Sequence, residues 1–271
     1  MWGVGVVFQS YALWPQMDVL DTVAFPIESA GTPRRIARIE SAHHLASVDL
    51  TGFADRRPAD LSGGQRQRVA LARCLAAGAR IVLMDEPLAN LDPHLRAAME
   101  DEMTACHARA GATTLFITHD QREAMALSDL VAMIGAGQFE QIAPSQELHD
   151  RPANAFVAGY IGRGVVLAGE VTATAPGQAS VRLAEDLIAV ARTEDVHIGP
   201  AQILLRPNDV ALDPSGVAAR VLSRAYRGDH WETRVEMRGL EKPLLVSLPK
   251  SADPGELLNL SVIGGWVLRQ A

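Results

Sequence analysis

Two textures divide the chain. Up to about residue 161, short apolar runs alternate with stretches whose apolar positions recur every three or four residues. Beyond it, period-two alternation takes over. The apolar runs Met1–Phe8, Ile81–Met84 and Thr113–Thr118 predict strands of a parallel sheet buried on both faces. Between them, Asp21–Leu50 reads as helix interrupted by the breakers Pro26, Gly31 and Pro33. Gln65–Ala77, rich in Ala, Leu, Arg and Gln, predicts a helix stopped by Gly78, and His94–Ala110 one stopped by Gly111. Asp129–Ile134 and Gln138–Ile142 predict a hairpin, and Pro144–Tyr160 a closing helical segment. From Gly162 the predicted strands are Val165–Val171, Gln178–Leu183, Leu187–Arg192, Ala201–Arg206, Val217–Tyr226, His230–Met237, Pro243–Leu248 and Leu258–Leu268, the pattern of a small β-barrel.

With 271 residues, 48% of them hydrophobic, the chain has material for two modest cores. Its net charge of −7 argues against a general nucleic-acid surface. Cys74 and Cys106 give no disulfide framework and point to a reducing compartment. No apolar stretch approaches the roughly 18 residues of a membrane-spanning helix, and no basic segment precedes the first apolar run as in a signal peptide. The expectation is a cytoplasmic chain that reaches a membrane through a partner.

The chemistry concentrates in Leu61-Ser62-Gly63-Gly64-Gln65 and in Asp85-Glu86. Ser62 caps a helix whose glycine-fronted N-terminus offers free N–H groups and the positive dipole end to an anion such as phosphate. Asp85 and Glu86 emerge at the C-terminal end of an apolar strand, where open α/β sheets place ligands. Adjacent carboxylates there suit holding a hydrated Mg²⁺ and polarising an attacking water.

LSGGQ at 61–65 and IVLMDEP at 81–87 resemble the signature motif and Walker B strand of the ATP-binding subunits of ABC transporters. That resemblance implies ATP and Mg²⁺ as cofactors, Glu86 as general base, Asp85 on Mg²⁺, and Leu61, Ser62, Gly63, Gly64 and Gln65 contacting the nucleotide of a second subunit. VVFQ places Gln9 at the family's Q-loop, touching Mg²⁺ and the attacking water. Leu88–Pro93 is similar to the D-loop, with Asp92 aligning the two subunits. ITHDQREA places His119 at the γ-phosphate. SYALWPQMDV at 10–19 resembles the importer pattern SYALWPHMTV, whose aromatic and apolar residues, here Tyr11, Leu13 and Trp14, meet the membrane permease. Gln16 and Asp18 depart from it. Residues 20–75 resemble the helical subdomain. LRPNDV at 205–210 resembles the LRPEDV-type motif of the TOBE-type regulatory barrel, with Asn208 in place of an acid.

The implied fold is α/β, a P-loop NTPase-type ABC ATPase core over residues 1–161, followed by a small all-β, OB-like TOBE barrel over 162–271. No G-x-x-x-x-G-K-[ST] occurs in the sequence, and the family carries that loop upstream of the Q-loop strand. The core is therefore expected to lack its first elements, to expose an apolar sheet face, and to dissolve poorly when expressed alone. The leading reading is an ATP-hydrolysing importer subunit that dimerises and docks on transmembrane permease subunits at the cytoplasmic face of the membrane, fed by a periplasmic or extracellular solute-binding protein. SYALWP and IGRGVVLAGEV at 161–171 most resemble ferric iron and polyamine systems. The alternative is a regulatory chain that donates LSGGQ in trans without hydrolysing ATP. A soluble ABC ATPase of DNA repair or translation fits less well. Arg34, Arg35 and Arg38 read as a solvated helix face, and adjacent His43 and His44 as non-ligands. Gly162-Arg163-Gly164 is no dinucleotide fingerprint, and Arg227, His230 and Trp231 read as surface-loop residues around a packed Trp.

Overall fold

The structure is a computed structural model that describes residues 3–88 and 93–269, with the backbone alone for 93–98 and 102. It divides into two compact units, Met1–Leu127 and Ser128–Ala271. The first unit holds β1 (Val4–Val7), α1 (Val19–Ser29), α2 (Arg34–Ser47), α3 (Gly63–Ala76), β2 (Ile81–Asp85), α4 (Pro93–Ala110), β3 (Thr113–Ile117) and α5 (Gln121–Leu127). The three strands are parallel in the order β1-β2-β3, with Val6 opposite Leu83 and Leu83 opposite Leu115.

The sheet buries one face only: the strands are not covered on both sides, and the apolar sheet face expected to be exposed is exposed. Val7, Val82 and Met84 face inward and join a core with Cys74 of α3 and Cys106 of α4. Val4, Val6, Phe8, Ile81, Leu115 and Ile117 point the other way and are exposed. Gly5 is required by the close approach of α3: a Cβ there would sit 2.7 Å from Cys74 Cβ. Burial in this seam raises the Cys74 thiol pKa.

Helix ends follow local chemistry. Asp18 caps α1 by accepting from the Asp21 amide at 2.6 Å, so this departure from the importer pattern replaces one good N-cap type by another. Pro26, expected as a breaker, lies inside α1, in its last turn. Arg34 and Arg38 are not merely solvated: both reach Asp21, Arg34 at 2.7 Å. α3 closes at Gly78 (φ 78), whose amide bonds Leu75 O while the Ala79 amide bonds Cys74 O, the paired bonds of a Schellman stop.

The second unit begins with the hairpin β4 (Val131–Gly135) and β5 (Gln138–Ala143), turning through Ala136 (φ 48) and Gly137 (φ 79). The closing segment is two short helices, α6 (Ser145–Asp150) and α7 (Ala155–Tyr160), parted at Pro152 and restarted by the Asn154 cap. Then come β6 (Val165–Ala175), β7 (Gln178–Ala184), β8 (Leu187–Arg192), β9 (Gly199–Leu205), β10 (Val210–Tyr226), β11 (Trp231–Met237), β12 (Leu244–Leu248), β13 (Leu257–Val262) and β14 (Trp266–Val267). A closed barrel, β14-β8-β7-β6-β9, and an antiparallel sheet, β12-β11-β10-β13, share one core containing Val181, Ile203, Val221, Val235 and Leu260. The predicted strand Leu258–Leu268 is split because Gly265 (φ 139) turns the chain and the Ile263 amide leaves the sheet for Asp209 O.

The sequence reading places the domain boundary at 161/162, whereas the compact units part at 127/128. Side chains of the barrel hold the intervening segment. Arg206 donates to Ile161 O at 2.8 Å and to His149 O, and the Trp266 indole donates to Pro152 O at 3.2 Å. Asp209 accepts the Arg206 amide at 2.7 Å, so the turn is capped without an acid at position 208.

Candidate functional site

The C-terminal ends of the three parallel strands converge. Val7 pairs with Met84 and Asp85 with Ile117, so Gln9, the Asp85-Glu86 pair and His119 all emerge at one edge of the sheet within two residues of its last rungs. Gln9 and Asp85 are exposed there. Glu86 has φ 46, and its amide bonds Ile117 O at 2.9 Å, turning the carboxylate off the strand toward β3. Its Oε1 lies 2.8 Å from His119 Nδ1. That hydrogen bond, reinforced by the negative charge of Glu86, raises the His119 pKa.

His119 is seated from behind. Thr118 Oγ1 donates to Glu123 Oε2 at 2.7 Å and accepts the Asp120 amide at 3.0 Å, while Asp120 caps α5 by accepting from the Arg122 amide at 2.8 Å. Glu123 is only 2% exposed and was not singled out by the sequence reading. Its signal is the Asp120-x-x-Glu123 spacing of a capping box.

Leu61–Gln65 stand on another element, the start of α3. Ser62 Oγ accepts the Gln65 amide, and Gln65 Oε1 accepts the Ser62 amide at 2.9 Å, a reciprocal capping box. Those bonds leave the amides of Gly63 and Gly64 without an acceptor among the described residues, the half-exposed Gly63 at the positive end of the helix dipole and Gly64 buried behind it. Leu61 is buried and anchors the turn. Asp92 lies outside the described residues.

Of the residues read as a permease contact, Tyr11 is buried, 8% exposed, in the core of the first unit, whereas Leu13 and Trp14 are half-buried. Trp14 packs against Phe25 of α1 at 4.7 Å between ring centroids. In the second unit Arg227 pairs with Glu232 at 2.7 Å, His230 with Asp229 at 2.6 Å, and Trp231 packs on Tyr226 at 5.1 Å, so these loop groups satisfy one another.

Asp85 and Gln9 offer hard oxygen donors, the type Mg²⁺ takes, at neighbouring strand ends, while no group of three or more His, Cys, Asp or Glu side chains able to hold a metal occurs among the described residues; the start of α3 has the chemistry of an anion site. No helix among the described residues is long and apolar enough to cross a membrane.

The ABC transporter family profile matches residues 2–89 and the TOBE domain profile matches residues 203–263. The chain is 41% identical over 236 residues to the Fe(3+) ions import ATP-binding protein FbpC 1 of Rhizobium meliloti, covering 86% of this chain and 67% of that protein. The Fe(3+) ions import ATP-binding protein FbpC of Brucella melitensis is likewise 41% identical with the same coverage. The spermidine/putrescine import ATP-binding protein PotA 1 of Pseudomonas aeruginosa is 38% identical over 247 residues, covering 86% of this chain and 66% of that protein. The chain belongs to the ATP-binding subunits of ABC transporters, in the importer type that carries a C-terminal TOBE domain.

Proposed function

We propose that Glu86 is the general base of ATP hydrolysis in an import complex, and that the Glu86–His119 hydrogen bond of 2.8 Å orients it. With one oxygen tied to His119, the other carboxylate oxygen of Glu86 is left to take the proton of the attacking water. The left-handed backbone of Glu86 directs that group away from Asp85, its neighbour on the strand, so the two adjacent carboxylates serve separate tasks. Asp85 and Gln9 hold Mg²⁺, which neutralises charge on the transferred phosphoryl group. His119 faces the γ-phosphate, and its raised pKa favours the cationic form that suits an anion.

Ser62, Gly63, Gly64 and Gln65 bind the nucleotide held by a second ATP-binding subunit, and Asp92 aligns the pair. Leu13 and Trp14 meet the permease subunits, with Tyr11 anchoring their segment from the core, which sets the chain peripherally on the cytoplasmic face. The names of its relatives, importers of Fe(3+) ions and of spermidine/putrescine, support ferric iron or a polyamine as the imported solute, with a solute-binding protein as the partner that delivers it.

The test is Glu86→Gln in the assembled transporter. Turnover should fall by at least about 10²-fold, while ATP stays bound and holds the two ATP-binding subunits together through gel filtration. Undiminished turnover, with nucleotide retained only by the partner subunit, would instead identify this chain as a donor of its signature segment in trans.

A further inference from the structure

Arg73 sits in the last turn of α3, eleven positions after Ser62. Its Nη1 donates to Ala12 O at 2.7 Å and its Nη2 to Tyr11 O at 3.2 Å. The same guanidinium lies over the Trp14 ring, 5.1 Å from its centroid. Both residues whose carbonyls it grips are left-handed, Tyr11 at φ 62 and Ala12 at φ 46. Two consecutive non-glycine residues in that region persist only where their surroundings hold them. Apart from the Arg73 fork, the backbone bonds of this segment are the Tyr11 amide to Phe8 O, 2.8 Å, and the Met17 amide to Trp14 O, 3.2 Å.

We propose that Arg73 is a positioning residue that couples the signature helix to the segment following Gln9. The proposal rests on the ATPase reading above. α3 is an unbroken helix capped at both ends, so its nucleotide-facing start and Arg73, about 16 Å apart along the axis, move as one body. Arg73 transfers that motion directly to Tyr11 and Ala12, two and three residues beyond Gln9, and through the stacked ring to Trp14, whose other neighbour is Phe25 of α1. One guanidinium thus joins the element that meets the nucleotide to the residues that meet the permease. The task needs arginine: a lysine ammonium keeps the charge but cannot span two carbonyls while lying flat on an indole. Half-burial of the site lowers the Arg73 pKa without discharging it.

The test is Arg73→Lys in the transporter reconstituted in liposomes, with amide hydrogen exchange measured on the same samples. Exchange at the Tyr11 and Met17 amides should quicken by about tenfold or more. Turnover stimulated by solute-loaded binding protein should fall by about tenfold or more, with basal turnover and ATP affinity held within about twofold. Adding Ala12→Gly, which accepts a positive φ without strain, should restore part of the protection and of the stimulation. That double variant also carries the test where Arg73→Lys alone does not fold. Unchanged exchange at Tyr11 and Met17 would overturn the proposal, because Arg73 would then not hold the segment. So would an equal loss of basal and stimulated turnover, since Arg73 would be general scaffolding. A wild-type assembly without ATP turnover would overturn the ATPase reading and the coupling role with it, while the exchange result would still decide whether the grip exists.

Discussion

Glu86 occupies a left-handed backbone position at the tip of β2, a conformation that a non-glycine residue adopts at a cost of about 1–3 kcal/mol. The orientation it gains is the contact with His119, whose side chain is 74% exposed against 33% for Glu86. Because the bond and the charge both favour protonated His119, the ion pair is complete at mildly acid pH, below the ordinary histidine value and above the range in which carboxylates protonate. It is lost as pH rises through the raised value. Removing the Glu86 charge should return His119 toward its ordinary value near 6.5. Following the His119 ring by NMR across pH in wild type and in Glu86→Gln checks this, and identical midpoints would show that the contact does not persist in solution. Asp85 and Glu86 were legible as a pair of carboxylates ending an apolar strand, whereas Gln9 and His119 were legible only through the resemblance of VVFQ and ITHDQREA, since a lone strand-end Gln or His reads as structural. Arg73 was not legible, because it acts on carbonyls 61 and 62 residues away, a distance that no local pattern spans. Tyr11 was placed at the permease contact only through the resemblance of its segment to the importer pattern, which does not show that the left-handed turn at Tyr11 and Ala12 folds its ring into the core.

At the scale of elements, the exposed side of the three-stranded sheet governs behaviour in solution. Leu115 and Ile117 are 59% and 65% exposed and continue a patch begun by Val4, Val6, Phe8 and Ile81. β1 and β3 are also edge strands, with unpaired backbone groups next to that patch, a combination that favours association between copies. Leu115→Thr with Ile117→Thr should raise the monomer fraction of the 271-residue chain in sedimentation velocity. Stability should change by only about 0.5 kcal/mol per site, because neither side chain packs inward and β-branched Thr suits a strand. An unchanged association profile would mean that other surfaces drive it. The order of elements was visible in the apolar periodicity, since β1, β2, β3, α1, α3 and α4 each begin within a few residues of their predicted starts. Which face of a strand is covered was not, because a continuous apolar run is compatible with burial on one side or on both. Breaks inside elements were missed where one glycine or proline decides: Gly265 ends a strand that Leu258–Leu268 would otherwise continue, while Pro26 is absorbed in a last turn.

At the scale of the molecule, the second unit carries what a free-standing domain needs. Its core draws from every strand layer of the barrel and the curled sheet, including Val171, Ala189, Ile203, Val246 and Leu260. Its short helices are tied down by Arg206, which reaches His149 and Ile161, and by Trp266, which packs with Ala158, Leu204 and Leu268. None of those bonds requires a residue before Ser128, which is the physical ground for proposing that the folding boundary lies near 127/128 rather than at 161/162. Residues 128–271 expressed alone should therefore give a β-rich spectrum and one cooperative melt, matching a separate transition of the whole chain. A fragment starting at residue 162 loses His149, Pro152 and Ile161 as partners of Arg206 and Trp266. It should melt lower by several degrees, since each lost hydrogen bond is worth about 1 kcal/mol and a shift of that size moves the midpoint of such a domain by about 2–4 °C. Equal melting of the two fragments would return the boundary to 161/162 and reduce the Arg206 bonds to surface contacts. A 128–271 fragment that fails to fold would show instead that the barrel depends on the first unit, and that nucleotide and regulatory parts of this subunit fold as one.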